Sequence, residues 1–419
     1  MTGDVARAAA EHSARASYGR LVALLTAPSG DLQMAEDCLA TAFVRALATW
    51  PDSGVPKNPE AWLLTVARNE QRDAWKSAAH RLSVPLDAVT ETPGGISTFG
   101  EVDVDAIPDK RLELLFVCAH PAISPDVRAP LMLQAVLGFA AAQVASVFDV
   151  PAATMAQRLV RAKRRIKDTR IRFAVPGRSA MPERLTPVME AIYGCYAIAW
   201  SSMADADSLR GSMAGEAHYL AVTLATLLDN DPEAWGLAAL ITLSMSRAAG
   251  GRRDSFVALQ DQDTSTWDRA LIEEGEDYLR RASSADRPGR FQLEAAVQAV
   301  HLARARTGFT DHTALRTLYT ALDLVAPTVG SKVALASAIA RTDGPAAGLS
   351  ALDDLAESHA VIGFQPYWAV RAHLLAEAHQ FEEAAAAYQT AVALTPDETE
   401  RAYLEGRSQQ LKILRSGGG

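Results

Sequence analysis

Residues 140–168 read AAAQVASVFDVPAATMAQRLVRAKRRIKD. Two amphipathic patterns meet at Asp149, Val150 and Pro151, the first short and the second longer and basic. A short helix, a tight turn and a longer helix make the helix-turn-helix pattern. Pro151 suits the first turn of the second helix, where its missing N–H is not needed. In that helix Met155, Leu159, Ala162 and Ile166 fall on one stripe, expected to pack on Val144, Val147 and Phe148. Thr154, Gln157, Arg158, Arg161, Arg164 and Arg165 fall on the other side. From Val150 to Phe173, eight Lys and Arg residues stand against the single acid Asp168. Solvated helix faces usually interleave both signs, so a one-signed cluster behind a tight turn points to a polyanion. A helix of this length spans ~24 Å and fits the major groove of duplex DNA. Gln157 and Arg158, in its first turns, are expected at base edges. Arg164, Arg165 and Lys167 are expected at phosphates, which set register without reading sequence.

The chain as a whole is acidic. Its 419 residues carry a net charge of −9, with 49% hydrophobic and 22% charged residues. The charge is uneven: through Pro176 there are 20 Lys and Arg against 19 Asp and Glu, and beyond it 21 against 31. The acidic second half is a poor nucleic-acid surface and is expected to meet protein or simply to be well solvated. The length suffices for two or three domains with a sizeable core. No apolar run reaches the length of a membrane span, and the N-terminus lacks an export signal. Cys38, Cys118 and Cys195 form no disulfide framework, which fits a reducing cytoplasm.

Ahead of the basic helix, DLQMAEDCLATAFVRALATW (31–50) places Leu32, Ala35, Leu39, Ala42, Phe43 and Ala46 at helical spacing. PDSGVPKNP (51–59) breaks that helix, and EAWLLTVARNEQRDAWK (60–76) resumes it. Residues 82–108 hold prolines, a Gly-Gly pair, five acids and no base, and read as a linker. Beyond Gly177 the pattern is helical. Ala384, Tyr388, Ala391 and Pro396 match the second helix of a tetratricopeptide repeat, and Trp368 and Ala372 match its first. Tyr319, Leu322 and Pro327 repeat the same gaps, and residues 344–355 would be a degenerate copy between them. Arg371 stands where the repeat usually has Leu.

These residues resemble the extracytoplasmic-function (ECF) sigma factors of bacterial RNA polymerase. Pro151, Thr154, Arg158, Leu159, Arg161, Ala162, Lys163 and Arg164 look like the domain-four signature of that family. Ala35, Glu36, Asp37, Phe43, Arg45, Trp62, Leu63, Ala67, Arg68, Asn69 and Asp73 look like domain two. The second half resembles a subgroup with a long helical extension ending in tetratricopeptide repeats. That subgroup tends to finish in Asp-Gly-Gly-Gly, whereas this sequence has Ser416 in place of the Asp.

The resemblance implies an all-α chain in four parts. Residues 1–81 would be domain two, 82–108 an acidic linker, 109–176 domain four, and 177–419 a tetratricopeptide-like array of helical hairpins. It implies core RNA polymerase and promoter DNA as partners in the cytoplasm, at the nucleoid, with no cofactor. Glu36, Asp37, Phe43 and Arg45 would hold the polymerase. Ser53, Gly54, Lys57, Asn58, Trp62, Arg68, Asn69 and Lys76 would meet the −10 element, the loop from Ser53 to Asn58 receiving a flipped base. Trp62 and Trp75 could stack on bases, but core packing is the commoner role of such residues. Thr154, Gln157, Arg158, Arg161, Arg164, Arg165 and Lys167 would meet the −35 element. Family members often carry a basic run just after the position of Asp73; here only Lys76 and Arg81 follow.

Other constellations are discounted. Cys118 and His120 lack further metal ligands at suitable spacing. The acids of DQDTSTWD (261–268) are expected to cap a helix starting near Ser265. No Ser/His/Asp or Cys/His arrangement suggests an enzyme. Two alternatives remain open. One is an adaptor whose repeat domain binds a protein or peptide while the sigma-like half is vestigial. The other is a repressor that binds duplex DNA alone.

Overall fold

The computed structural model describes residues 2–29, 31–82, 109–148, 150–168, 176, 180–201, 213–247, 256–283, 288–356 and 359–416. The linker expected at 82–108 therefore lies, beyond Leu82, outside the described residues, as do Gly417 to Gly419. Among the described residues the chain is all-helical, without strands. Its helices group into two compact units, one ending at residue 227 and one beginning at 228.

The first unit opens with three mutually packed helices, α1 (Thr2–Ser29), α2 (Leu32–Ser53) and α3 (Pro59–Leu82). Asp31 caps α2 by accepting from the Met34 N–H at 3.0 Å. Leu32, Ala35, Leu39, Ala42 and Ala46 are all buried on one side of α2, as the spacing predicts. The helix ends at Gly54, whose φ of 82° requires the left-handed region. Gln71 of α3 donates to the Leu25 carbonyl at 3.0 Å inside the bundle.

The unit continues with α4 (Lys110–Cys118), α5 (Pro125–Ala135), α6 (Ala141–Val147) and α7 (Ala152–Asp168), then α8 (Pro182–Ser201) and α9 (Met213–Leu227). Asp109 caps α4 through the Arg111 and Leu112 amides. Helix α8 packs on α5 and α6, and α9 packs on α8. Arg111 ties α4 to α9, bonding Glu216 and lying 5.7 Å from the Tyr219 ring centre. Helices after residue 177 thus complete the core begun by α4 and α5.

The second unit contains α10 (Pro232–Met245), α11 (Arg269–Ala282), α12 (Arg290–Leu302), the single turn α13 (Arg304–Thr307), α14 (His312–Val325), α15 (Val329–Asp343), α16 (Pro345–Asp353), the single turn α17 (His359–Ile362), α18 (Gln365–Glu377), α19 (Phe381–Leu394) and α20 (Glu398–Ser416). Successive helices pair as hairpins: α10 with α11, α14 with α15, α15 with α16, and α18 with α19, against which α20 closes. Small residues permit this close stacking. Ala372, Ala384, Ala387, Tyr388 and Ala391 form one buried cluster with Leu375, Leu404 and Leu411. Arg371, the departure from the repeat pattern, pairs with Asp353 at 2.6 Å. The acidic segment 261–268 is a loop with two 3-10 turns rather than a helix starting at Ser265. Asp263 caps the second turn, and Asp268 caps α11, which begins at Arg269. Arg304 holds this loop by donating to the carbonyls of Leu259, Gln260 and Gln262.

Candidate nucleic-acid interface

Helix α6 is set by Gln143, whose side chain accepts from the Ala140 N–H at 3.0 Å. The chain then turns through Pro151, whose carbonyl accepts the first bond of α7 from Met155. Met155, Leu159 and Ile166 are buried, with Ala162 partly so. This stripe fixes the rotation of α7 and presents the opposite face outward. Gln157, Val160, Arg161, Arg164 and Arg165 are exposed together on that face. Thr154 and Arg158 flank it, half-buried, and an Arg158 guanidinium nitrogen lies 4.0 Å from the Asp126 carboxylate on α5. The Lys167 side chain lies outside the described residues. The face can offer hydrogen-bond donors to base edges from its first turns and three guanidiniums to phosphates from its later turns.

Sequence reasoning passed over Val160, which is 66% exposed in the middle of this face. A valine belongs to neither the buried stripe nor the charged pattern, and that mismatch was the available signal. Apolar side chains at such positions contact the thymine methyl group in the major groove.

In α2, α3 and the loop between them the expected −10 residues separate by environment. Ser53, Gly54, Lys57, Asn58, Arg68, Asn69 and Lys76 are exposed. Asn58 also caps α3, accepting from the Ala61 N–H at 3.0 Å, and Asn69 accepts from Arg72 at 2.8 Å. Trp62 packs edge-on against the buried Trp50, with ring centres 5.4 Å apart. Trp62 is half-buried, and Trp75 is 40% exposed.

The four residues assigned to polymerase binding also differ. Asp37 is exposed and accepts from Gln33 at 3.0 Å. Arg45 pairs with Glu70 of α3 at 2.5 Å, and Phe43 is half-buried. Val44 and Leu47, which the sequence reading did not single out, are 67% and 48% exposed on the same helix. Glu36 faces inward, where Lys163 of α7 donates to both its carboxylate oxygens at 2.8 and 2.9 Å. Burial holds the Glu36 carboxyl above its usual range, against the opposing pull of the Lys163 ammonium. Tyr18 is pushed up by burial and then by Glu36 and Asp37. The Cys118 thiol, fully buried beside the pair, is pushed up to about 12, chiefly by burial. His120, the other half of the Cys-x-His pair, accepts from the Ala122 N–H instead. Among the described residues no cluster of three or more metal-ligating side chains occurs, and no helix is long and apolar enough to cross a membrane.

The described residues are all-helical, and comparison with known proteins indicates the class. Residues 14–81 match the Sigma-70 region 2 family, and residues 184–283 match a family of unknown function, DUF6596. The chain is 32% identical over 378 residues to the uncharacterized protein R00370 of Rhizobium meliloti (strain 1021), covering 89% of each. It therefore belongs to the same family as that protein. It is 28% identical over 162 residues to the probable ECF RNA polymerase sigma factor SigI of Mycobacterium tuberculosis, covering 38% of this chain and 55% of that one. Among solved structures it is similar to yeast Tom70, with a TM-score of 0.32 and 9% identity over 91% of this chain and 81% of that one. The region 2 match and the SigI similarity support a sigma-factor role.

Proposed function

We propose that the chain is an ECF-type sigma factor that binds core RNA polymerase and directs it to promoters. In this reading α2 and α3 serve polymerase and the −10 element, and α7 reads the −35 element as duplex. The second unit regulates or supports the factor by holding a protein or peptide partner. The observation that carries the reading is the outward face of α7, where Gln157, Arg161, Arg164 and Arg165 stand exposed over a fully apolar inner stripe. A region-two match alone would leave a duplex-reading module unaccounted for.

The test is co-purification with core polymerase, followed by run-off transcription from a template with a pre-melted bubble. A sigma factor gives both complex and transcript. An adaptor on a vestigial sigma half gives no transcript, and a duplex-binding repressor gives neither.

A further inference from the structure

The second unit lies in the acidic half of the chain, yet three of its helices bring cationic donors to one point. Arg341 near the end of α15, His373 on α18 and Arg407 on α20 meet there. A guanidinium nitrogen of Arg341 lies 2.9 Å from His373 Nε2, and one of Arg407 lies 3.4 Å from His373 Nδ1. Glu377, one turn further along α18, accepts from Arg341 at 3.0 Å and lies 3.3 Å from His373 Nε2. Tyr388 of α19 bonds Arg407, on which Tyr403 and Asp261 also act electrostatically.

This arrangement holds more donors than acceptors. A guanidinium only donates, and a neutral imidazole has one N–H and one accepting nitrogen. Whichever ring nitrogen carries the proton, one guanidinium faces an N–H. Protonating the ring instead sets a third cation beside the two arginines. Burial holds His373 below its usual range, with Arg341 and Arg407 adding to it and Glu377 opposing. The cluster is therefore short of an acceptor.

It is also open to a solute. The side chains of Arg341, His373 and Glu377 are 33%, 27% and 34% exposed. Gly406 shares a face of α20 with Tyr403 and Arg407, and a Cβ added to it would meet nothing within 4 Å. Glycine inside a helix is destabilising relative to alanine, and no neighbouring protein atom requires one here. Its absent side chain leaves room beside Arg407.

We propose that Arg341, His373 and Arg407 bind a tetrahedral dianion, the phosphate group of a small molecule, with Gly406 giving it space. A carboxylate offers two oxygens in one plane. A phosphate offers three acceptor oxygens spread in space, so it can take donors from α15, α18 and α20 together. It carries nearly two charges at neutral pH, and it supplies the acceptor that the imidazole N–H lacks. The guanidinium fork matches phosphate geometry better than a lysine ammonium does. This site is separate from the protein or peptide partner proposed for the second unit and does not depend on it.

The test follows the His373 ring by NMR in the full chain, labelled with carbon-13 at histidine Cε1 and assigned with His373→Gln. Inorganic phosphate should shift this resonance saturably and raise the ring's titration midpoint, because a nearby dianion favours the imidazolium. Acetate at the same ionic strength should do neither. Arg341→Gln and Arg407→Gln should each weaken phosphate at least tenfold, with helicity unchanged by circular dichroism. Gly406→Leu should weaken it as much while maintaining or raising the melting temperature, since leucine is the better helix former. Adenosine triphosphate separates the sources of the group: tighter binding than inorganic phosphate marks a phosphorylated metabolite and equal binding the free ion, and either supports the site. No saturable shift with either probe overturns the proposal. So does binding that survives undiminished in both arginine variants or in Gly406→Leu, or a response to acetate or a glutamate-rich peptide equal to that with phosphate. The measurement needs neither polymerase nor promoter, so this site and the sigma-factor reading fail independently.

Discussion

If the outward face of α7 meets DNA phosphates, its arginines should set the salt dependence of binding. The perturbation is the triple variant Arg161→Gln, Arg164→Gln and Arg165→Gln. All three side chains are exposed, and Gln is nearly as good a helix former as Arg, so the fold should persist. Each phosphate neutralised contributes about 0.9 to the slope of log affinity against log salt. Three lost contacts should flatten that slope by about 2.7. Between about 50 and 200 mM salt, the parent should then lose roughly 40-fold more affinity than the variant. The assay is fluorescence anisotropy on a labelled duplex, and a random sequence suffices because this term is independent of sequence. Gln157→Ala supplies the contrast. It should leave the slope unchanged and weaken discrimination at one base pair by ~1–3 kcal/mol, or about 5- to 150-fold. A triple variant with the parental slope would show that these arginines do not face phosphate, and the duplex-reading role of α7 would fall with it.

Two further outcomes concern the second unit. Burial, reinforced by Arg247, His312 and Arg304, depresses His301 to about 4. A depressed histidine contributes stability that is complete above its unfolded value near 6.5 and is lost as pH falls toward the folded value, here ~3 kcal/mol. Thermal unfolding at about pH 7.5 and 5 should therefore show a loss in the parent that His301→Gln largely abolishes; equal acid loss in both would rule this histidine out as the cause. Gly348 is the contact point of α16 on α15, where an added Cβ would lie 2.5 Å from the Ala340 Cβ and 2.8 Å from the Ala336 carbonyl oxygen. Gly348→Ala should cost ~1–3 kcal/mol by overpacking, visible as a lower melting temperature of the second unit, and an unchanged one would mean that the helices part at little cost.

What was legible in the sequence followed periodicity. The apolar stripes of α2 and α7 are local patterns of side chains, and their buried sides fall where the spacing puts them. The hairpin helices α18 and α19 were legible for the same reason, because Ala384, Tyr388 and Ala391 recur at one helical face. Long-range partners leave no such trace. Nothing near Lys163 in the sequence says that its partner is Glu36, 127 positions away. Nor does Arg111 reveal Glu216 of α9, so nothing local announces that helices after residue 177 share a core with α4 and α5. Capping shows the intermediate case. The acids of 261–268 were legible as caps, but the helix they were expected to start near Ser265 begins at Arg269, after a loop that Arg304 holds through the carbonyls of Leu259, Gln260 and Gln262. The same logic separates the two surfaces of α7. Its outward arginines, Arg161, Arg164 and Arg165, can be read from charge and period alone. Its α2-facing lysine is intelligible only with both helices in view.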